Sequence, residues 1–328
     1  MNSRSPLAII VPAFKPDFLH KALTSIEAQT GDYQVYIFDD ASPSNLFLIV
    51  EPFLANPDWH YYRFEKNMGG TSLAGHWNRC IEATTEPWIW LFSDDDEMQA
   101  DCVRCFLDTI QHSETESDVY RFDQKIIDEK GFLQHPNFQV PERLTGFQFG
   151  RLRFFRALNS TAVEYICARS AFNRAGGFPD FPLGWCADDA AWIDFAGEKP
   201  IITLQCGGVN WRTSTVNLSG SQAFTIEKLS ACIQFINWFN QKFKVEVHSQ
   251  IFAEEIIWLR LQMVELAFEP GFAETLQILK KLAIPLSMNW LRTFGDLYCL
   301  TYIYRQKVIL AKQATGIRVW LHFFLPKF

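Results

Sequence analysis

Three consecutive aspartates, Asp94, Asp95 and Asp96, directly follow the mostly apolar residues 88–93. Two carboxylates about 4 Å apart repel each other by about 4 kcal/mol at the effective dielectric constant near a protein surface. A divalent cation relieves such repulsion, because clustered carboxylate oxygens are the ligands that hard metals prefer. The segment therefore predicts a metal site. A solvated acidic turn ahead of the next helix is the alternative.

Short apolar runs alternate with amphipathic stretches through the first hundred residues. The pattern predicts strands at 7–14, 33–40, 59–65 and 87–93. It predicts helices between them, at 17–29, 46–55 and 71–84. Strands alternating with helices are typical of an α/β protein with a mixed, mainly parallel sheet flanked by helices on both faces. Ligands of such sheets bind beyond the carboxyl ends of the strands, so we expect a site there.

The rest of the chain is less regular. Residues 118–128 and 201–212 are predicted strands, and residues 144–158 are a predicted helix. A glycine-rich loop leads into a helix that begins near Asp188 and Asp189. From residue 222 onward we expect long helices, including 253–268, with breaks at 269–271 and near Pro285.

Composition narrows the function classes. The 328 residues carry a net charge of −7, which argues against general nucleic-acid binding, since that needs a basic face. Residues 222–328 hold 12 Lys and Arg against eight Asp and Glu, so the tail is mildly basic while the remainder is acidic. This asymmetry suggests different tasks for the two parts.

The spacing of the cysteines and the length of the apolar runs indicate the cellular compartment of the protein. Cys102 and Cys105 have helical spacing, and without a second close pair they are interpreted as small buried apolar residues, not as zinc ligands. We expect no signal peptide, and no run reaches the 18 or so apolar residues of a spanning helix. The sequence predicts a protein of the reducing cytosol.

Five segments, in this order, resemble the family 2 glycosyltransferases with a GT-A (Rossmann-like) fold: IIVPAF, YIFDDAS, NMGGTSLAGHWN, LFSDDDEM and GGFPDFPLGWCADDAAW. The resemblance covers about residues 7–220. It implies a catalytic domain at 1–220, with a nucleotide-binding half at about 1–97 and an acceptor-binding half at 98–220. Residues 221–328 would be a helical C-terminal extension outside the resemblance.

The resemblance also implies a reaction. A sugar would move from a nucleotide-diphosphate sugar, with a UDP-sugar favoured, to an acceptor hydroxyl by inverting displacement with Mn²⁺ or Mg²⁺. The residues that match donor-binding positions of the family are Pro12, Ala13, Phe14, Asp39, Asp40, Asn67, Gly69, Gly70, Asn78, Ser93, Asp94 and Arg212.

Several donor assignments have structural alternatives. Asp40, supported by Asp39, is expected to accept a hydrogen bond from a pyrimidine ring N–H, although an Asx-turn is the competing explanation. The Gly69-Gly70 pair suits backbone contact with phosphate or a plain tight turn. Arg212 is expected to contact the diphosphate or to form a surface salt bridge.

Metal ligands and catalytic acids follow from the same resemblance. Asp95 is the first expected metal ligand and Asp96 the second, while Ser93 stands where the family usually has an aspartate. Asp189, preceded by Asp188, matches the general base. Acids favoured by the positive end of a helix dipole are the alternative for this pair. Trp185 is expected either to stack on the acceptor or to pack in the core.

The sequence says least about the acceptor, the binding partners and the cellular location of the protein. A glycan or a lipid-linked saccharide is the expected acceptor. The basic, aromatic tail suits contact with an anionic membrane surface, packing on the catalytic domain, or packing in a homo-oligomer. The first of these would make the cytoplasmic protein peripheral on the inner face of the membrane. Two other classes stay open: a nucleotidyltransferase on a similar fold, and a non-catalytic sugar-nucleotide-binding or scaffold protein.

Overall fold

The computed structural model describes residues 5–112, 117–135, 140–214, 217–218, 224–246 and 249–266, with single positions at 277 and 281. Contacts group the chain into two compact units, Met1–Lys244 and Val245–Phe328. The described strands, in chain order, are β1 (Leu7–Ala13), β2 (Tyr33–Asp39), β3 (Trp59–Arg63), β4 (Trp88–Leu91), β5 (Glu97–Met98), β6 (Val119–Arg121), β7 (Gln124–Ile127), β8 (Leu133–His135), β9 (Arg143–Leu144), β10 (Tyr165–Ala168), β11 (Ile201–Thr203) and β12 (Val209–Arg212).

The described helices alternate with these strands in the first half, and two more follow the last described strand. They are α1 (Leu19–Glu27), α2 (Phe47–Val50), α3 (Leu73–Glu82), α4 (Cys102–His112), α5 (Gly146–Phe154), α6 (Arg169–Ala175), α7 (Ala187–Ala196), α8 (Thr225–Phe243) and α9 (Gln250–Glu265), with short 3₁₀ helices at Glu51–Ala55 and Pro182–Gly184.

Eight strands form the main sheet in the order β3-β2-β1-β4-β10-β6-β11-β9. The first four are mutually parallel, β10 is antiparallel to both β4 and β6, and β9 is antiparallel to β11. Every residue of β1 except Pro12 is buried, as expected for a central strand with both faces covered. The predicted mixed, mainly parallel sheet flanked by helices is confirmed.

Helix α1 shows how the sequence pattern sets the layers. Its buried residues recur at helical spacing, so one stripe faces the core while the opposite face is solvated. They are Leu19, Ala22, Leu23 and Ile26. Helix α5 begins at a capping box, in which Thr145 and Gln148 satisfy each other's backbone N–H groups. This cap fixes where α5 starts.

A second, four-stranded sheet has the order β5-β12-β7-β8. The strands predicted at 118–128 and 201–212 are each divided between the two sheets: β6 and β11 pair in the main sheet, whereas β7 and β12 pair in the second. The prediction of one continuous strand in each place is therefore wrong. The division brings the end of β12 next to the acidic segment after β4.

Helix α8 belongs to the first compact unit. It packs against α7 and against the 3₁₀ turn Pro182–Gly184. The predicted domain boundary at residue 220 stays a prediction, and the tail breaks expected at 269–271 and near Pro285 lie outside the described residues. In the part of the chain that the structure describes, no helix is long and apolar enough to span a membrane.

The cysteines differ from expectation in one respect. Cys102 and Cys105 are both buried on α4, as predicted. Cys105 is not a free thiol, however, because it forms a disulfide with Cys206, with a Cα–Cα distance of 6.0 Å. The bond ties α4 to the loop between β11 and β12.

Candidate active site

The carboxyl ends of β1, β2 and β4 lie side by side, because β1 pairs in parallel with both neighbours. The chain leaves β1 towards β2 and later returns on the other side as β4, so the strand order reverses between β1 and β4. Ligands of open α/β sheets bind at such a reversal. Among the predicted donor residues, Pro12 and Ala13 end β1, and Phe14, 40% exposed, follows them.

Asp94, in the segment after β4, binds the backbone of the loop after β1. Its Oδ2 accepts hydrogen bonds from the backbone N–H groups of Phe14 at 2.8 Å and Lys15 at 2.9 Å. Burial raises the pKa of Asp94 to about 6, and the charge of Asp95 adds to the rise. The side chain therefore fixes the loop after β1 against the acidic segment after β4.

Ser93 lies between the other two carboxylates. Its hydroxyl oxygen is 2.7 Å from Asp95 Oδ1 and 2.5 Å from Asp96 Oδ2, and its single proton serves one of them at a time. Asp96 is buried, whereas Asp95 is half-buried. Burial raises the pKa of both carboxyl groups, and Asp95 raises that of Asp96 further. Removal from water is therefore the main reason that both carboxyl groups resist ionisation, and like charge adds to it at Asp96.

Arg212, at the end of β12, supports the acidic segment. Its backbone N–H donates to Asp96 Oδ1 at 2.6 Å, and its Nε donates to the Asp95 carbonyl at 2.9 Å. Nη1 donates to the Asp128 carbonyl at 2.9 Å, and Nη2 contacts the Glu97 carboxylate. The side chain is fully buried, so it is a buried anchor and not the surface salt bridge considered above. Its predicted contact with a diphosphate stays a prediction.

Asp39 is bound at the end of β2 by three donors. Oδ1 accepts from the Ser42 backbone N–H at 2.7 Å, as in the Asx-turn alternative. Oδ2 accepts from the Tyr61 hydroxyl at 2.6 Å and also contacts Arg63. Burial, followed by the hydrogen bond to Asp39, raises the pKa of Tyr61 to about 12.

Asp40 organises the loop between β3 and α3. Its carboxylate accepts hydrogen bonds from Asn67 Nδ2 at 2.8 Å and from the backbone N–H groups of Met68 at 2.9 Å and Gly69 at 2.8 Å. Arg79 Nη2 binds the same carboxylate. A Cβ at Gly69 would lie 2.8 Å from Asp40 Oδ2, so the loop approaches the carboxylate too closely for a side chain. Direct contact of Asp40 with a nucleobase stays a prediction.

Asn78, on α3, fastens the glycine-rich loop that leads to α7. Its Nδ2 donates to the Phe178 carbonyl at 2.9 Å, and its Oδ1 accepts from the Phe178 N–H at 2.8 Å. Gly177 has a φ of +88°, and a Cβ there would lie 2.7 Å from Asn78 Oδ1. Glycine is needed at this position for both reasons. Asn78 therefore links the two predicted halves of the catalytic domain.

The predicted catalytic acids lie in the first turn of α7. Asp189 is 2% exposed, and its Oδ1 accepts a hydrogen bond from Arg153 Nε at 2.9 Å. Burial raises the pKa of Asp189, while Arg153 opposes the rise. Burial, with the charge of Asp189, raises the pKa of the half-buried Asp188 well above its usual value.

Trp185 is half-buried just before α7. The Lys228 Nζ of α8 lies 4.7 Å from its ring centroid and donates to the Leu218 carbonyl at 2.8 Å. A cation over an aromatic face is a favourable contact. One face of the ring is thus in contact with the protein, and stacking of Trp185 on an acceptor stays a prediction.

Residues 8–175 match the family model described as Glycosyl transferase family 2, which is more than half of the chain. The chain belongs to glycosyl transferase family 2. A comparison with curated protein sequences finds no match. Family membership confirms the predicted resemblance and the glycosyltransferase class.

Solved structures confirm the GT-A fold of this glycosyltransferase. The S. aureus TarS structure aligns with a TM-score of 0.60 at 14% identity over 92% of this chain, which spans about half (53%) of the full TarS chain. The TarS 1–349 complex with UDP-GlcNAc aligns with a TM-score of 0.56 at 15% identity, covering 92% of both chains. PcManGT from Pyrobaculum calidifontis, a mannosyltransferase in complex with GDP-Man and Mn²⁺, aligns at 0.53 and 14%, covering 95% of this chain and 89% of its own.

The carboxylates at the end of β4 in this glycosyltransferase fit a metal ion that is bound partly by protein and partly by substrate. Among the described residues, no group of three His, Cys, Asp or Glu side chains could hold a metal ion. Asp94 Oδ2 and Asp96 Oδ1 accept hydrogen bonds from backbone N–H groups, and Asp96 Oδ2 and Asp95 Oδ1 lie within hydrogen-bond distance of the Ser93 hydroxyl. Among the described hydrogen bonds of this segment, none reaches Asp95 Oδ2 or Asp94 Oδ1. Mg²⁺ commonly takes one or two carboxylates plus substrate phosphates. One available carboxylate at the strand end meets that requirement.

Sequence reasoning missed the cations that hold the acids of this family 2 member in place. The sequence pattern gave no sign that Arg153 contacts Asp189, since 36 positions separate them. Arg79 directly follows Asn78 along the chain, but its contact with Asp40 depends on the fold. The structure brings the predicted residues together in three groups: the segment 93–96 with Phe14 and Arg212, the loop 67–70 with Asp40, and Asn78 with the loop before α7.

Proposed function

We propose that this glycosyltransferase is an inverting hexosyltransferase that moves a sugar from a nucleotide-diphosphate sugar to an acceptor hydroxyl. The observation that carries the proposal is the half-buried carboxylate of Asp95 at the strand reversal between β1 and β4, with Asp94 and Asp96 bound on either side. This is the edge at which α/β sheets bind ligands. The family match supports the reaction class.

The proposed donor is a UDP-sugar. Two of the similar structures hold UDP-GlcNAc or UDP, and a third holds GDP-Man, which supports a nucleotide sugar as donor. Phe14, exposed at the end of β1, and the loop 67–70 fixed by Asp40 would border the base and the phosphates. Asp39 would stiffen the same edge through Tyr61 and Ser42.

A divalent cation, Mn²⁺ or Mg²⁺, held by Asp95 would neutralise charge on the leaving diphosphate. Asp96 is the second proposed ligand, and it would bind the metal through an oxygen that also accepts a hydrogen bond. The chain's own residues prepare this place. Asp94 holds the loop after β1, and Arg212 holds the carbonyl of Asp95 and the carboxylate of Asp96. The half-buried Asp95 is thereby fixed between two anchored neighbours.

Asp189 is the proposed general base. As the acceptor oxygen bonds to the anomeric carbon, its proton passes to the Asp189 carboxylate, and the bond from that carbon to the diphosphate breaks on the opposite face. The diphosphate leaves with the bonding electron pair, so the configuration inverts. Asp188, beside it, has the more strongly raised pKa and would be the first of the pair to take up a proton as the pH falls.

The acceptor we propose is a glycan or a lipid-linked saccharide, with Trp185 beside it. The aromatic, basic tail is the proposed membrane contact, which would place this glycosyltransferase at the inner face of the membrane. Fractionation of cells that produce the chain with or without residues 245–328 tests this part. Equal membrane association of the two forms would contradict a role for the tail.

Release of nucleotide from a panel of UDP- and GDP-sugars, with Mn²⁺, Mg²⁺ or chelator, tests the function. We expect slow hydrolysis of one UDP-sugar that needs metal and that falls by two or more orders of magnitude in Asp95→Asn. Asp58→Asn is the control, because Asp58 is exposed and lies at the opposite, amino end of β3. Absence of turnover and of binding for every sugar nucleotide would overturn the proposal.

A further inference from the structure

Arg153 lies where it can control the proposed base. It sits in the last turn of α5, a helix whose start is fixed by the Thr145 capping box, and α5 packs against α7. Its Nε donates to Asp189 Oδ1 at 2.9 Å, and its Nη1 donates to the Leu158 carbonyl at 2.7 Å. The second bond fixes the guanidinium independently of Asp189.

We propose that Arg153 is a positioning residue that keeps Asp189 ionised and holds one of its carboxylate oxygens, leaving the other to take the acceptor proton. This inference rests on the proposed function of Asp189. A buried carboxylate beside a half-buried one, without a cation, favours its neutral form, because burial and mutual repulsion both oppose ionisation. A protonated Asp189 could not remove a proton from an acceptor.

The groups around Asp188 and Asp189 indicate that Arg153 is the cation that stabilises the ionised form of Asp189. The titratable and charged groups that interact with the pair come from three places: Arg153 on α5, Glu164 and Tyr165 at β10, and Cys186 before α7. Arg121 on β6 and Cys232 on α8 form the next layer, beside Tyr165 and Cys186. Arg121 is engaged elsewhere, with its Nη2 3.7 Å from the Glu164 carboxylate. Ser160 contributes a neutral hydroxyl near Asp189. Among the described residues, Arg153 is the one cation that forms an ion pair with Asp189.

The geometry also distinguishes Arg153 from a structural ion pair. Arg174 and Asp118 form a comparable pair, at 3.0 Å, but the Arg174 side chain is 53% exposed and Lys199 shares the same carboxylate at 2.8 Å. The Arg153 side chain is 22% exposed and that of Asp189 is 3% exposed, so water screens this pair much less. Arg174→Gln is therefore a matched control: an arginine–aspartate pair outside the proposed site.

The test compares Arg153→Gln, Arg153→Lys and Arg174→Gln with the unchanged protein. In Arg153→Gln we expect the acidic limb of the kcat profile to move up by about one pH unit, so that kcat falls up to about tenfold along the acidic limb and stays unchanged on the alkaline plateau. KM for the donor stays unchanged. Arg153→Lys restores part of the loss, and Arg174→Gln leaves the profile in place. An equal loss at every pH would overturn the inference.

A second readout does not depend on turnover. Carboxyl ¹³C NMR of protein labelled at aspartate, with the Asp189 signal assigned by Asp189→Asn, follows the titration directly. We expect a higher midpoint for Asp189 in Arg153→Gln than in the unchanged protein; equal midpoints would overturn the inference. If the Asp189 midpoint rises in Arg153→Gln but the unchanged protein turns over no sugar nucleotide, the proposed function is contradicted. The electrostatic pairing of Arg153 with Asp189 would still be supported.

Discussion

The carboxylate of Asp96 accepts a hydrogen bond from the backbone N–H of Arg212 at 2.6 Å, across 116 positions of the chain. This bond joins the segment after β4, in the main sheet, to β12 in the second sheet. Asp94 binds the loop after β1 on the other side. Three aspartates in a row therefore have different tasks: two fix the segment, and Asp95 between them stays available to a ligand.

This division predicts opposite effects of two alanine substitutions. Asp96→Ala removes the acceptor of a buried N–H group, so we expect the free energy of unfolding to fall by about 2 kcal/mol. Asp95→Ala removes a half-buried charge that is repelled by its neighbours, so stability stays equal or rises slightly while turnover is lost. Urea unfolding followed by circular dichroism measures both. A larger stability loss in Asp95→Ala than in Asp96→Ala would contradict the assignment.

The buried guanidinium of Arg212 predicts a large stability effect. Arg212→Met leaves the Asp95 and Asp128 carbonyls and the Glu97 carboxylate without this donor, and we expect a loss of about 3 kcal/mol. The control Arg174→Gln removes a half-exposed pair and costs less than about 1 kcal/mol. Thermal and urea unfolding test the ranking, and equal losses would show that burial does not decide the effect.

The close approach of Gly69 to Asp40 predicts a steric effect. In Gly69→Ala the new Cβ meets Asp40 Oδ2 at 2.8 Å, and that carboxylate is held by Met68, Asn67 and Arg79, so it cannot move away cheaply. We expect a cost of about 1–3 kcal/mol and weaker donor binding. In a double-mutant cycle with Asp40→Ser, which makes room, the second change should cost less. Strict additivity would contradict the steric explanation.

The sequence predicts local features well and distant pairings poorly. Strands β1 to β4 and the acids at their ends were predictable, because continuous apolar runs identify buried strands and sheet geometry gathers their carboxyl ends. The division of 118–128 and 201–212 between two sheets was not, since a residue pattern shows that a segment is extended but not which strand it pairs with. The disulfide from Cys105 to Cys206 spans 101 positions and is equally non-local.

In the candidate site, the sequence likewise predicts the acidic residues but not the arginines that bind them. Asp39, Asp40 and Asp94–Asp96 were identified by type and place, but the sequence pattern did not reveal that backbone N–H groups and arginines would bind most of them. Those partners depend on the fold, which sets distances between residues far apart in the chain. The sequence does show that Ser93 stands where the family usually has an aspartate. In the structure, its hydroxyl lies between the carboxylates of Asp95 and Asp96.

His76 predicts a pH dependence of stability. It is buried on α3, and its Nδ1 accepts a hydrogen bond from Arg79 Nε at 3.0 Å, so the ring must be neutral there. Burial lowers the pKa of His76 to about 4; the nearby Asp40 opposes this shift and Arg79 adds to it. The unfolded chain binds a proton near pH 6.5, whereas the folded protein does so only near 4. Stability is therefore lost as the pH falls through this window, by at most about 3 kcal/mol.

The variant His76→Asn isolates this contribution, because its side-chain oxygen can replace Nδ1 as acceptor and does not titrate. Urea unfolding at pH 7.5, 6.5, 5.5 and 4.5 should give a steeper decline for the unchanged protein than for the variant. Carboxylates that titrate in the same range are common to both proteins and cancel in the difference. Parallel curves would mean that His76 is protonated in the folded state, against the direction of the hydrogen bond from Arg79.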